Sequence, residues 1–218
     1  MDFRFDIVQE YLPYFGKGVI VTLEITIVSL LIGMILGLLF SLMNLTNIKV
    51  LRWFYLIYIT ILRGTPVLVQ LFIFHLAILP LFVTESNAIL SAIVTLSLNS
   101  GAYIAEIFRG AIESIDSGQD EAARSLGLSR AQSLRHVILP QAFKQAIPAL
   151  GNEVIVLLKE TSLASVIAAE DLLYFGKSAA SQYFRVWEPY ITVALIYLLL
   201  TITLTFFLRL LERRLDIG

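Results

Sequence analysis

The sequence predicts an all-α, polytopic membrane protein with five transmembrane helices and a two-helix loop on the cytoplasmic side. Its 218 residues are 58% hydrophobic and 15% charged, whereas an average soluble domain carries roughly 25% charged residues. The mean hydropathy of +0.83 indicates that most apolar side chains face something other than water. Five apolar runs are each long enough to cross a bilayer as a helix. They are also much longer than the roughly 10-residue strands of a membrane barrel.

Composition excludes several other classes of protein. The net charge is −1 and the cations are scattered along the chain, so we expect no nucleic acid partner. The chain has no cysteine, which excludes disulfides and thiolate chemistry. His75 and His136 are too few for a histidine metal site. We therefore expect this chain to bind no metal and no cofactor itself.

The elements are predicted in chain order as follows. Residues 1–18 mix aromatic and charged side chains, which predicts an amphipathic segment on the outer surface, and residues 19–218 form a transmembrane domain. The predicted spans are about Val19–Met43, Tyr55–Phe82, Ala88–Phe108, Ala146–Ala169 and Pro189–Leu208. We interpret them as helices because hydrocarbon offers no partner to an unpaired backbone group. The first span also carries a small-residue packing face at helical spacing, formed by Thr22, Thr26, Ser29, Gly33 and Gly37.

Lys and Arg residues predict the orientation of these spans, because short cytoplasmic loops retain cations. Ten of the 16 lie on the side that includes the loop between spans three and four, four lie on the other side, and two lie within spans. The N-terminus is therefore predicted outside and the C-terminus inside the cell.

The longest predicted loop, about residues 110–145, contains two short helices. Each has a polar N-cap candidate and a helix-ending residue at its C-terminus. These are Asp116 or Ser117 and then Gly127 for the first helix, and Ser129 and then Pro140 for the second, which runs from Arg130 to about Leu139. Periodicity alone fits an amphipathic connector on the membrane surface equally well.

Within this loop, Glu121-Ala122-Ala123 is followed after three residues by Gly127 and after nine more by Val137-Ile138-Leu139-Pro140. This pattern resembles the EAA motif of membrane permease subunits of bacterial ABC importers. The resemblance implies that the loop docks into a cleft on a separate ATPase subunit and passes its motion to the membrane helices. The residues that it assigns to ATPase coupling are Glu121, Ala122, Ala123, Gly127, Leu139 and Pro140.

Further stretches resemble the polar amino acid branch of that family, which includes histidine, arginine and glutamine permeases. They are Arg63-Gly64-Thr65-Pro66, Asn99-Ser100-Gly101-Ala102-Tyr103, Glu106-Ile107-Phe108-Arg109-Gly110, Gly151-Asn152-Glu153 and Lys159-Glu160-Thr161-Ser162-Leu163. The resemblance implies a location in the bacterial inner membrane. It also implies an ATP-binding subunit dimer that holds ATP and Mg, an extracytoplasmic substrate-binding protein, and a second copy of this permease or a similar permease.

The chain shows no nucleotide site of its own. Gly176-Lys177-Ser178 imitates the end of a P-loop, but Asp171 stands where that motif needs glycine. We therefore expect a flexible turn at these three residues. The chain is predicted not to be an enzyme, and ATP hydrolysis is expected on the partner.

Polar side chains inside the predicted spans are costly and point to function or to internal pairing. One reading is a mid-membrane pocket for an amino acid, lined by Thr65, Gln70, Asn99, Glu153 and Glu160. The other reading is that these groups pair with one another and only hold helices together. The predicted structural or gating charges are Arg63, Glu106 and Lys159.

The excess of acids among these positions favours a basic substrate such as arginine, lysine or histidine. Glutamine or another polar amino acid is the alternative substrate. A rival from another class is a secondary transporter driven by an ion gradient through His75, Glu106 and Glu153. The chain shows no internal inverted repeat of the kind that many such transporters carry.

Overall fold

The computed structural model describes residues 3–46, 48–83 and 87–215, and every regular element in these ranges is helical. The prediction of an all-α protein is confirmed. The α-helices are α1 (Phe5–Leu45), α2 (Lys49–Gly64), α3 (Val67–Ile73), α4 (Ala88–Glu113), α5 (Ser117–Ser125), α6 (Arg130–Ser133), α7 (Leu139–Glu160), α8 (Leu172–Tyr183) and α9 (Trp187–Arg214). Wider π turns at Phe74–Ile78 and Leu134–Ile138 and 3₁₀ turns at Leu79–Leu81 and Thr161–Ile167 extend α3, α6 and α7.

Three of these helices, α1, α4 and α9, are long and apolar enough to cross a membrane by themselves. Together α2 and the segment from Val67 to Leu81 meet the same criterion as a bent pair. The helix of the predicted fourth span, α7, carries Asn152, Glu153, Lys159 and Glu160 among its apolar residues, which lower its hydropathy. The described residues thus contain up to four candidate spans, and the count of five and the orientation stay predictions.

The second predicted span, about Tyr55–Phe82, is a broken helix. Its helix begins earlier, at Lys49, and bends by 106° at a break before Val67. Pro66 has no N–H to donate and disfavours helical backbone at the residue before it. Thr65 is accordingly extended, with φ −124° and ψ 148°.

The N-terminal segment is part of α1, a single helix of 41 residues. The predicted boundary between residues 18 and 19 falls inside it, while residues 1, 2 and 216–218 lie outside the described ranges. Ile7, Tyr11 and Phe15 recur every four residues and are buried, and Tyr11 and Phe15 pack in one cluster with α8 and α9. This contact explains why no break separates the segment from the first span, and its place on the outer surface stays a prediction.

The small-residue face predicted for the first span packs against α4. A Cβ atom placed on Gly33 would lie 3.3 Å from the backbone of Gly101, and one on Gly37 would overlap the side chain of Ile104. The two backbones therefore approach closely. This contact holds α4, the most buried of the candidate spans, in the middle of the molecule.

The expectation of a flexible turn at Gly176, Lys177 and Ser178 is wrong. These three residues lie inside α8. Its N-cap is Asp171, whose side chain accepts a hydrogen bond from the backbone N–H of Tyr174 at 2.8 Å. The helix forms because this cap and an apolar face that packs on α1 and α9 stabilise it.

Pro140 does not close the second loop helix as we expected. It lies in the first turn of α7, immediately after the π turn Leu134–Ile138. The wider turn lets the chain continue as helix past a residue that cannot donate a backbone hydrogen bond. The second loop helix and the predicted fourth span are therefore joined into one helical run.

We predict that Gly18→Ala destabilises the protein, because a Cβ at this position would lie 2.7 Å from the Cα of Leu172. Such overpacking costs about 1–3 kcal/mol in free energy of unfolding. Thermal unfolding of the detergent-solubilised protein, followed by the fluorescence of Trp53 and Trp187, measures it. Gly16→Ala is the matched control, because no atom lies within 4 Å of its added Cβ, and we expect no loss there. Equal melting temperatures for the two variants would contradict the close contact of α1 with α8.

Candidate functional site

Two side-chain amides donate hydrogen bonds to backbone oxygens at the break between α2 and α3. The Gln70 amide donates to the backbone oxygens of Leu62 at 2.7 Å and Thr65 at 3.0 Å, and to Thr65 Oγ1 at 2.9 Å. The Asn99 amide, from α4, donates to the same Leu62 oxygen and to Gln70 Oε1, both at 3.1 Å. These bonds satisfy carbonyls that the bend removes from the helical pattern. Three of the five predicted pocket residues thus meet, in an internal network.

The other two predicted pocket residues, Glu153 and Glu160, lie on α7. Glu153 is buried, lies beside Ser100 of α4, and is within electrostatic reach of Glu160 and Arg63. Ser100 Oγ is also buried, and its neighbour is the Glu153 carboxylate. A buried carboxylate beside a hydroxyl is a place where a polar ligand can bind.

Ser100 is a residue that sequence reasoning missed. It belongs to a series of small polar residues on α4, including Ser91, Thr95 and Ser97, whose side chains donate to the carbonyl four residues earlier. In the sequence these positions look alike. Only the packing of α7 against α4 distinguishes the serine that faces an acid.

Two of the predicted structural charges, Arg63 and Glu106, pair with each other, and the third, Lys159, lies apart from them. Arg63 donates to Glu106 Oε2 at 2.9 Å, and its guanidinium lies 5.1 Å from the ring centroid of Tyr103. Lys159 is exposed, and the ion pairs found among the described residues do not include it. It lines a cavity of about 320 Å³ against α8 and α9.

The loop after α4 folds as two capped helices, as predicted. Of the two N-cap candidates, the structure selects Asp116, whose side chain accepts from the Gly118 N–H at 2.6 Å. Gly127 ends the first helix with φ +91°, a conformation that favours glycine. Ser129 and Gln132 form a reciprocal capping box at the start of α6.

The six residues that the EAA resemblance assigns to coupling differ in their exposure. Glu121, Ala122 and Gly127 are exposed, whereas Ala123 is buried. Leu139 and Pro140 lie at the start of α7. Leu126, which we did not single out, has 82% of its surface exposed beside Gly127. The exposed residues of α5 and its end therefore combine charge, a small side chain and a large apolar one, which is typical of a docking surface.

Comparison with known proteins gives concordant matches. A family model described as "Binding-protein-dependent transport system inner membrane component" matches residues 29–217. The arginine transport system permease protein ArtQ of Bacillus subtilis (strain 168) is 38% identical, over 99% of this chain and 97% of that protein. The glutamine transport system permease protein GlnP of Escherichia coli (strain K12) is also 38% identical, over all of both chains.

Solved structures give the same result for the fold. A structure titled "Crystal structure of an amino acid ABC transporter with histidines" contains a chain that is 42% identical, with a TM-score of 0.92 over 98% of this chain and 100% of that one. A chain from the methionine ABC transporter MetNI is 23% identical with a TM-score of 0.81, which shows a shared fold alone.

We predict that Gln70→Met lowers stability, because it removes the amide donor to the Thr65 carbonyl and one of the two partners of both the Leu62 oxygen and the Asn99 amide. An unsatisfied buried polar group costs about 1–3 kcal/mol. Thermal unfolding in detergent measures the loss. Gln182→Met, which removes one partly buried hydrogen bond from Tyr11, serves as the control and should cost less. A Gln70 variant as stable as the wild type would show that the break does not depend on this amide.

Proposed function

Because this chain belongs to the family of binding-protein-dependent transport system inner membrane components and is a permease subunit of an amino acid ABC importer, we propose that it carries basic amino acids across the membrane. Transport proceeds by alternating access of a pocket between α4 and α7, driven by a separate ATPase. The chain itself translocates and performs no catalysis. ATP and Mg bind to the partner subunits.

The observation that carries the proposed substrate is the acidic character of the space around Glu153. Its carboxylate is buried beside the Ser100 hydroxyl, with Glu160 as a second acid nearby. A charge inside a membrane protein is costly without a counter-charge, and a cationic side chain would supply one. The Arg63 guanidinium, which donates to Glu106, also lies within electrostatic reach of the Glu153 carboxylate and would attract the carboxylate of the substrate.

The proposed partners follow from the loop and from the family. The exposed surface at Glu121, Ala122 and Leu126 offers a docking site for an ATP-binding subunit, and two such subunits would serve two permeases. With up to four candidate spans in the described residues, one chain is too small to enclose a path, so we propose a pair of permeases with the path between them. The family description names a binding protein, which would deliver the substrate from outside.

A second candidate substrate is glutamine. The relative named as a glutamine permease is as similar to this chain, at 38% identity, as the one named as an arginine permease.

Family membership favours ATP over an ion gradient as the energy source. In the structure His75 Nδ1 lies 2.8 Å from Ser91 Oγ, so its neighbour there is a hydroxyl.

The substrate is tested by ATP hydrolysis in proteoliposomes that contain this chain with its co-purifying ATPase and binding protein. We expect arginine, lysine or histidine to stimulate hydrolysis and glutamine to have little effect. In Glu153→Gln, stimulation by the basic amino acid should need about tenfold or more substrate, because one charged hydrogen bond in the pocket is lost.

Glu24→Gln is the matched control, because Glu24 is an exposed acid of α1 away from the pocket, and we expect it to behave as the wild type. Stimulation by glutamine alone would keep the importer and reject the basic substrate. An unchanged response of Glu153→Gln to arginine would reject the pocket.

The docking surface is tested by charge reversal. We predict that Glu121→Lys lowers the amount of ATPase that co-purifies with the permease by about tenfold or more, since a reversed charge at an interface costs several kcal/mol. Glu212→Lys, near the end of α9 and outside the loop, should leave co-purification unchanged. Equal recovery of the ATPase with both variants would argue against docking at α5.

A further inference from the structure

Glu106 is the point at which three side chains from two helices meet. Its Oε1 accepts hydrogen bonds from the Tyr55 hydroxyl and from Arg109 Nε, the latter at 2.9 Å. Its Oε2 accepts from Arg63 at 2.9 Å and from a second nitrogen of Arg109 at 3.1 Å. Tyr55 and Arg63 belong to α2, while Arg109 belongs to α4 with Glu106 itself. One carboxylate therefore joins two positions of α2, Tyr55 and Arg63, to α4.

The hydrogen bonds of Glu106 lie between the pocket and the docking loop of the proposed mechanism. Arg63 stands three residues before Pro66, at the end of α2 where the chain bends. On the other side, Arg109 also pairs with Glu113, which is the last residue of α4, and α5 begins at Ser117. This series of ion pairs, from Arg63 through Glu106 and Arg109 to Glu113, thus extends from the bend beside the pocket to the last turn before the docking loop.

The two arginines hold Glu106 unequally. Arg109 lies three residues away on the same helix and makes two bonds to the carboxylate, so it stays with Glu106 wherever α4 moves. Arg63 comes from another helix and makes one bond. It also lies within electrostatic reach of Glu153. The contact between Arg63 and Glu106 is therefore the part of the network that can open without dismantling α4.

We propose that Glu106 is a positioning residue that couples the docking loop to the substrate pocket. This inference rests on the proposed function. Displacement of the loop moves the last turn of α4, and the Glu106–Arg63 contact transfers that displacement to the end of α2 and hence to the bend at Thr65 and Pro66. Substrate that binds near Glu153 acts in the reverse direction. It changes the electrostatic potential at Arg63 and therefore the strength of the contact between Arg63 and Glu106. Such reciprocity is required of any coupling between two sites.

The experiment compares Glu106→Gln with the wild type in the reconstituted complex of permease, ATPase and binding protein. The amide keeps the size of the side chain and removes its charge. We expect basal hydrolysis within about twofold of the wild type, while substrate stimulation and the number of substrate molecules moved per ATP fall by about fivefold or more, the lower end of typical coupling free energies. Substrate affinity, measured by equilibrium binding to the permease complex, should change little.

Two further variants separate coupling from folding. Glu106→Asp keeps the charge and should recover part of the coupling, which a purely steric role would not explain. Glu170→Gln removes the charge of an acid paired with Lys17 at the other end of the molecule and should leave coupling intact.

Normal coupling in Glu106→Gln would overturn the inference, and so would a loss of substrate affinity equal to the loss of stimulation, since Glu106 would then belong to the pocket. Failure of the ATPase to co-purify with Glu106→Gln would also overturn it, because the residue would then act in docking. A wild-type complex that no amino acid stimulates would reject the proposed function instead.

Discussion

The requirement that backbone polar groups find partners within the membrane shapes this protein most strongly at Pro66. A proline there removes a donor and turns the chain by 106°, and the freed carbonyls must be satisfied nearby. Gln70 and Asn99 do this from α3 and α4. The bend therefore fixes where α3 lies against α4, and it places Arg63 where the side chain can reach Glu106.

A second requirement is close approach between helices, and α1 meets it along its whole length. Association of helices in lipid relies on packing, since hydrocarbon tails are as apolar as leucine. The first helix presents Gly33 and Gly37 to α4, Gly18 to Leu172 at the start of α8, and aromatic residues to α8 and α9. The choice of side-chain size along the helix sets how near each neighbour lies, and it leaves α4 in the middle, with the proposed pocket on one side and the proposed docking loop at its end.

Local signals in the sequence predicted local structure well. The helical class, the small-residue face, the caps at Asp116 and Ser129 and the turn at Gly127 each depend on a few neighbouring residues, and the structure confirms them. The direction of the bend at Pro66, the helix α8 and the continuation past Pro140 depend on tertiary contacts that no local pattern encodes. The same limit applies to the pocket. Sequence placed polar residues on the right helices, but the pairing of Gln70 with Asn99 and the contact of Ser100 with Glu153 arise only when α3, α4 and α7 pack together.

The length of α1 has a mechanical consequence. At 1.5 Å per residue, its 41 residues span about 60 Å, roughly twice the hydrocarbon thickness of a bilayer. A helix of this length either leans strongly or extends beyond the hydrocarbon, and its N-terminal part packs on α8. A helix that pivots near its middle by about 10° moves its tip by about 5 Å, as much as one helical turn rises. Small rotations of the membrane core would thus become displacements of several ångströms at the end of α1, and Pro13, which lies inside the helix and removes one backbone hydrogen bond there, is the place where such a displacement would be absorbed.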